Sequence, residues 1–165
     1  MPARLRALGR VAFVNVSAGG VPKLSVREAR LGPNGLEGDK QRNRRIHGGP
    51  MRALCVYSLE RIRALQQEGH PIAPGTTGEN ITLEGIDWTL VAPGVRLALG
   101  DATIEITDFT EPCAVIRHSF SDHDPARVGQ LEHPGWSRVY ALVLEEGVVR
   151  AGDSARVLHD PAATA

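Results

Sequence analysis

Between Gly38 and Ala53, sixteen residues carry five cations, Lys40, Arg42, Arg44, Arg45 and Arg52, together with Asp39, His47 and the pair Gly48-Gly49. Arginine and lysine grip phosphate oxygens through charge-assisted hydrogen bonds, and glycines let backbone N–H groups approach an anion closely. The combination suits a pocket for a phosphorylated ligand. Alternate side chains of an extended segment point apart, so about half of these cations can face one ligand, and the competing reading is a solvated charged loop. His47 has three open roles: donor to a ligand oxygen, acid, or tie to the loop backbone. Asp39 could orient an arginine of the pocket or bind a ligand amine, against the commoner role of such a carboxylate as a turn former; the orienting role is preferred because the cations follow it.

Cys113 follows Thr110-Glu111-Pro112 and precedes the apolar run Ala114-Val115-Ile116. This predicts a short helix with Thr110 as its cap and Cys113 in its first turn, where a thiolate is stabilised. Such a thiol is a candidate metal ligand or nucleophile; a buried inert thiol is the alternative. Cys55, within Ala-Leu-Cys-Val-Tyr, reads instead as a small core hydrophobe. Gly78-Glu79-Asn80 offers a carboxylate and an amide suited to the edge of a heterocycle, although such triplets are common in turns. Ser121-Asp122-His123-Asp124 and His133 lack tight metal-ligand spacing and read as a solvated loop.

The surrounding chain narrows the function classes. Its 165 residues carry 19 basic and 19 acidic groups, so the positive field is local and nucleic acid is the weaker partner. The length suits one domain spanning 1–165, with a core from about residue 11 to 158 and a tail over 159–165. No apolar run reaches the roughly 20 residues of a membrane span and no signal-peptide pattern opens the chain, so a cytoplasmic location without membrane association is expected. The two cysteines form no CxxC pair. Walker, GxSxG, HExxH and GxGxxG patterns are absent.

Short strands separated by turns must position these groups. Val11 to Val16 predicts an opening strand with Ala12, Val14 and Val16 on one face, and Ser25 to Leu31 a second, before the turn Gly32-Pro33-Asn34-Gly35. After the basic loop, Ala53 to Tyr57 predicts a buried strand, and Ser58 caps a helix with Leu59, Ile62 and Leu65 on one side and Gly69 as its stop. A short strand is expected near Ile81 to Leu83. Alternation over Val95–Leu99 and Ile104–Ile106 around Gly100-Asp101 predicts one hairpin. Val139–Leu144 with Val148–Arg150 predicts another, and Ala155–Leu158 closes the sheet. The fold class is mainly β, a barrel or rolled antiparallel or mixed sheet with a few short helices.

In order along the chain, Gly35-Leu36-Glu37-Gly38-Asp39, His47-Gly48-Gly49-Pro50, Arg52-Ala53, Gly78-Glu79-Asn80 and Pro112-Cys113 resemble the MOSC domain family, the molybdenum cofactor sulfurase C-terminal domain, from about Val14 to Leu158. The resemblance implies a MOSC-type β-barrel whose cleft holds the pyranopterin molybdenum cofactor. It also implies Cys113 as molybdenum ligand in a reductase of N-hydroxylated compounds such as hydroxylamino-purines or amidoximes, or as carrier of activated sulfur. On that reading Arg42, Arg45 and Arg52 hold the terminal phosphate, Lys40, Gly48 and Gly49 also contact the cofactor, and Asp39, His47, Glu79 and Asn80 orient pterin or substrate, with His47 and Asp39 joining Cys113 as the catalytic candidates. Neither an iron-sulfur cysteine set nor a pyridoxal-phosphate domain is present, so neither cofactor is expected. A separate electron-donor or sulfur-donor protein is then required.

Three functions follow: a molybdenum-dependent reductase, a cofactor carrier or sulfur-transfer module using a Cys113 persulfide, and a metal-free anion-binding or nucleic-acid-binding barrel. Zero net charge is compatible with a homodimer.

Overall fold

The computed structural model describes residues 8–40 and 49–158. Its strands are β1 (Leu8–Val16), β2 (Leu24–Val26), β3 (Glu28–Gly32), β4 (Gly35–Leu36), β5 (Leu54–Ser58), β6 (Ile81–Glu84), β7 (Arg96–Leu99), β8 (Ala102–Phe109), β9 (Val139–Glu145), β10 (Gly147–Arg150) and β11 (Ser154–Val157). One α-helix lies among the described residues, α1 (Leu59–Gln67). Strands β11, β7, β8, β9, β5, β6 and β1 pair in that order, and β11 pairs again with β1, so seven strands close into a barrel with β2 added beside β1. All of its pairs are antiparallel except β5 with β6. Closure leaves no free edge in the ring. The mainly β barrel expected from the sequence is the fold observed.

The parallel β5–β6 pair needs a crossover, and α1 supplies it. Ser58 Oγ accepts a hydrogen bond from Arg61 N at 3.2 Å, which caps the helix as expected. Leu59, Ile62 and Leu65 form its buried face. Ile62 and Leu65 are fully buried, and each such side chain contributes about 1.5–3 kcal/mol. Gly69, at φ 96°, follows the helix end in a conformation that favours glycine. The 96–99/102–109 hairpin and the closing strand β11 also stand where the alternation puts them.

Three expectations are corrected. A bulge between Val11 and Phe13 shifts the β1 register, so Val11, Val14 and Asn15 are the fully buried residues while Ala12 and Val16 are only half-buried. The segment Ser25–Leu31 is not one strand: it breaks at Arg27, β2 pairing with β1 and β3 with β10. The second hairpin does not form. β9 pairs with β8 and β5 in the barrel, whereas β10 joins β3 and β4 in a separate three-stranded sheet. A short connection between two apolar strands does not decide which neighbours each strand takes. Among the described residues no helix is long and apolar enough to cross a membrane.

Candidate functional site

A cavity of about 610 Å³ lies against the outer face of β5, β9 and β8. Its walls come from the segment before β2 (Gly20, Val21, Lys23), from Lys40 and Arg52, from the loop before β6 (Thr77, Gly78, Asn80), and from the end of β8 into the 110–116 segment. Cys55, Tyr140 and Asp108 form one row across β5, β9 and β8, each the direct cross-strand partner of the next. They occupy the face opposite Val56, Ala141 and Ile106, which enter the core. The volume falls in the range typical of pockets for organic ligands.

One wall is a polar network centred on Asp39. Its carboxylate accepts Lys23 Nζ at 2.7 Å on each oxygen, Asn80 Nδ2 at 2.9 Å and Ser17 N at 3.0 Å. The Lys23 and Asp39 side chains are 9% and 3% exposed, so this is a buried ion pair. Asn80 extends the network: Cys55 N donates to its Oδ1 at 3.1 Å and its own N donates to Cys55 O at 2.8 Å. The amide thereby clamps the peptide of one cavity thiol. Asp39 was expected to orient an arginine; its cationic partner among the described residues is Lys23.

Lys23 is fixed from behind by backbone. Its N donates to Gly75 O at 2.9 Å. Gly75 sits at φ 86°, and a Cβ there would lie 2.2 Å from Lys23 O, so the close approach requires glycine. Glu79 lies behind this wall and does not line the cavity. Its carboxylate accepts Thr77 Oγ1 at 2.9 Å and Thr82 Oγ1 at 3.1 Å. Burial pushes its carboxyl up, opposed by hydrogen bonds from backbone N–H groups and these hydroxyls.

Arg52 lies in a short 3-10 turn, Pro50–Arg52, entered through Gly49 at φ 86°. Thr107 Oγ1 donates to Met51 O at 2.6 Å, and the Arg52 guanidinium stands 4.7 Å from the centre of the Tyr140 ring. Thr107 is the extra residue of a β8 bulge, so the bulge both ties this turn and aims Asp108 at the cavity.

Cys113 lines the opposite wall and is partly exposed. The predicted helical environment is corrected. Cys113 is itself the extended residue, φ −137° and ψ 164°, that leads into a 3-10 turn at Ala114–Ser119, and its side chain makes no cap bond. Pro112 favours an extended residue before it. Thr110 caps nothing: its N–H bonds Arg138 O at 2.9 Å and its hydroxyl lies 3.7 Å from Cys55 Sγ. Among the described residues no α-helix terminus therefore faces the thiol. Cys55, assigned to the core, is 8% exposed but borders the same cavity, and burial pushes its thiol up.

Of the residues singled out by sequence, Cys113, Lys40, Arg52 and Asn80 meet at the cavity, with Asp39 directly behind it. Gly49 is exposed and does not line it. Arg42, Arg45, His47 and Gly48 lie outside the described residues. Sequence reasoning missed Lys23, Tyr140 and Arg138. Lys23 is an isolated lysine after Val21-Pro22, with no spacing to mark it. Arg138 did leave a trace, as a charge opening the apolar strand Val139–Leu142.

Residues 43–156 match the family described as MOSC domain. The chain is 30% identical to YflK of Bacillus subtilis (strain 168) over 124 residues, 74% of this chain and 55% of that protein. It is 32% identical to YiiM of Escherichia coli (strain K12) over 107 residues, 62% of this chain and 48% of that protein. The chain thus spans about half the length of the curated relatives it matches. A crystal structure of a hypothetical protein superposes with a TM-score of 0.74 at 28% identity, over 95% of this chain and 71% of the other. The matched region holds Arg52, the Gly78–Asn80 loop, Cys113 and Arg138, the residues around which the cavity is built, and on that match the chain belongs to the MOSC domain family.

Proposed function

We propose that the cavity binds the molybdenum cofactor and that the protein reduces N-hydroxylated compounds, with Cys113 as metal ligand. The observation that carries this reading is the meeting of one partly exposed thiol with Lys40 and Arg52 on a single cavity. A soft sulfur donor fits molybdenum and two cations fit a phosphate, so the donor set suits the cofactor. Arg42, Arg45, His47 and Gly48 join this set from the sequence alone.

When bound, the cofactor supplies the two-electron redox chemistry. The chain's own residues do the rest. Lys40 and Arg52 grip the phosphate. The side chains of Val21, Phe109, Val115 and Ile116 give the cavity apolar walls that exclude water from the reacting end. Converting an N–OH group to N–H and water consumes two electrons and two protons; a separate donor protein brings the electrons, and the exposed carboxylates of Asp108 and Glu111 at the rim relay protons from solvent. Asp39 acts through Lys23 and Asn80, which hold the opposite wall in place.

The test uses protein made in cells that produce the cofactor, assayed with an amidoxime and reduced methyl viologen. Turnover is expected in the wild type and none in Cys113→Ala of unchanged fold. Undiminished turnover in Cys113→Ala would remove the assignment, while bound pterin and a Cys113 persulfide without turnover would give the site to sulfur transfer.

A further inference from the structure

Arg138 immediately precedes β9 and is 4% exposed. Its Nη1 donates to Thr77 O at 2.7 Å and its Nη2 to Glu111 O at 3.3 Å, while Nε is buried without a partner. The side chain thus bridges the Gly78 loop to the segment carrying Cys113, two residues beyond Glu111. Among the described residues no carboxylate lies within ion-pair distance of this guanidinium.

The contrast with Lys23 is informative. Both are buried cations on the cavity wall, yet Lys23 is matched by Asp39 on both oxygens and Arg138 is matched by neutral carbonyls alone. A buried charge without a counter-ion is costly. A guanidinium has five N–H groups and two of these are committed to carbonyls. A bridge between two loops needs hydrogen-bond donors but not a full charge. The positive field reaches Cys55 and Tyr140, where it opposes the larger effect of burial.

We propose that the counter-ion of Arg138 is a ligand: a small oxyanion group seated at the Cys113 end of the cavity, separate from any phosphate held by Lys40 and Arg52. The cavity then has two anion subsites. This assignment goes beyond the reductase reading, because it requires neither metal nor turnover.

Ligand-free protein tests it, titrated calorimetrically with sodium molybdate and with orthophosphate at constant ionic strength in chloride. Saturable binding is expected in the wild type, at least tenfold weaker in Arg138→Met, intermediate in Arg138→Lys, and unchanged in Arg96→Met, which removes a surface arginine paired with Glu105. Crystals of the wild type soaked in tungstate give a second reading that does not depend on the variant folding: anomalous density within hydrogen-bond distance of the Arg138 guanidinium is expected. Equal binding by wild type and Arg138→Met, no saturable binding by the wild type, or tungstate confined to the Lys40–Arg52 rim would each overturn the proposal and leave Arg138 as a loop tie. Because cofactor-free protein is used throughout, this outcome is independent of whether the molybdenum reading stands.

Discussion

Replacing Asp39 with alanine is expected to cost more than any other single truncation in the cavity wall. The carboxylate is almost fully buried and takes four hydrogen bonds, two from Lys23 Nζ and one each from Asn80 Nδ2 and Ser17 N. Its removal strands an ammonium whose side chain is 9% exposed, and breaking a buried pair from one side costs about 3–5 kcal/mol. The Asn80 and Ser17 donors add to this where water cannot reach them, at about 1–3 kcal/mol for each group left unmade. Total stability of a domain is about 5–15 kcal/mol, so Asp39→Ala should lower the urea midpoint severely. Lys23→Met should cost less, because Asp39 keeps its Asn80 and Ser17 donors. In the double variant no unpaired ammonium remains, so part of the loss should be recovered and the cycle should be non-additive by more than about 1 kcal/mol. Urea unfolding of the four proteins at neutral pH measures this. Additive losses, or a cost below about 1 kcal/mol for Asp39→Ala, would refute the reasoning that Asp39 acts by holding Lys23.

Glu79 gives a pH signature. Burial raises its folded-state pKa, so the native state holds the proton more tightly than the unfolded chain, and this contribution is present below the unfolded value and lost as pH rises through the folded one. Relative to Glu79→Gln, the wild type should therefore lose stability as pH rises above the usual carboxylate range, read from urea midpoints, and a constant difference would contradict it. Gly75→Ala sets a Cβ against Lys23 O at a positive φ, and should cost about 1–3 kcal/mol, visible as a lower Tm; an unchanged Tm would count against the close approach. Tyr57→Phe removes a hydroxyl that donates to Trp136 O at 2.6 Å, with an expected loss of about 1–2 kcal/mol in urea unfolding, and a neutral result would show that the carbonyl finds another partner.

Much of the barrel was legible because its signals are local. Ser58 before Leu59, Ile62 and Leu65 specifies a capped amphipathic helix, and alternation around Gly100-Asp101 specifies a hairpin. What failed depended on distant partners. The sequence of β10 looks like the return strand of β9, but β3 takes it. The β1 bulge is invisible without β6 opposite it. At the site, clustered cations and the Pro112-Cys113 pair stood out, whereas Lys23 and Arg138 owe their importance to burial, and burial of one isolated basic residue is set by the loops that close over it. Glu79 shows the converse: a polar triplet that looks suited to ligand recognition turns its carboxylate into the wall, where Thr77 and Thr82 occupy it.

The central claim is that Cys113 presents a thiolate to molybdenum in this cavity. It is tested most directly by the molybdenum content per chain, measured by elemental analysis alongside released pterin, for wild type and Cys113→Ala purified from the same cofactor-producing cells. The account predicts near-stoichiometric molybdenum in the wild type and its loss in the variant. Equal molybdenum in both proteins, or neither metal nor pterin in the wild type, would contradict it.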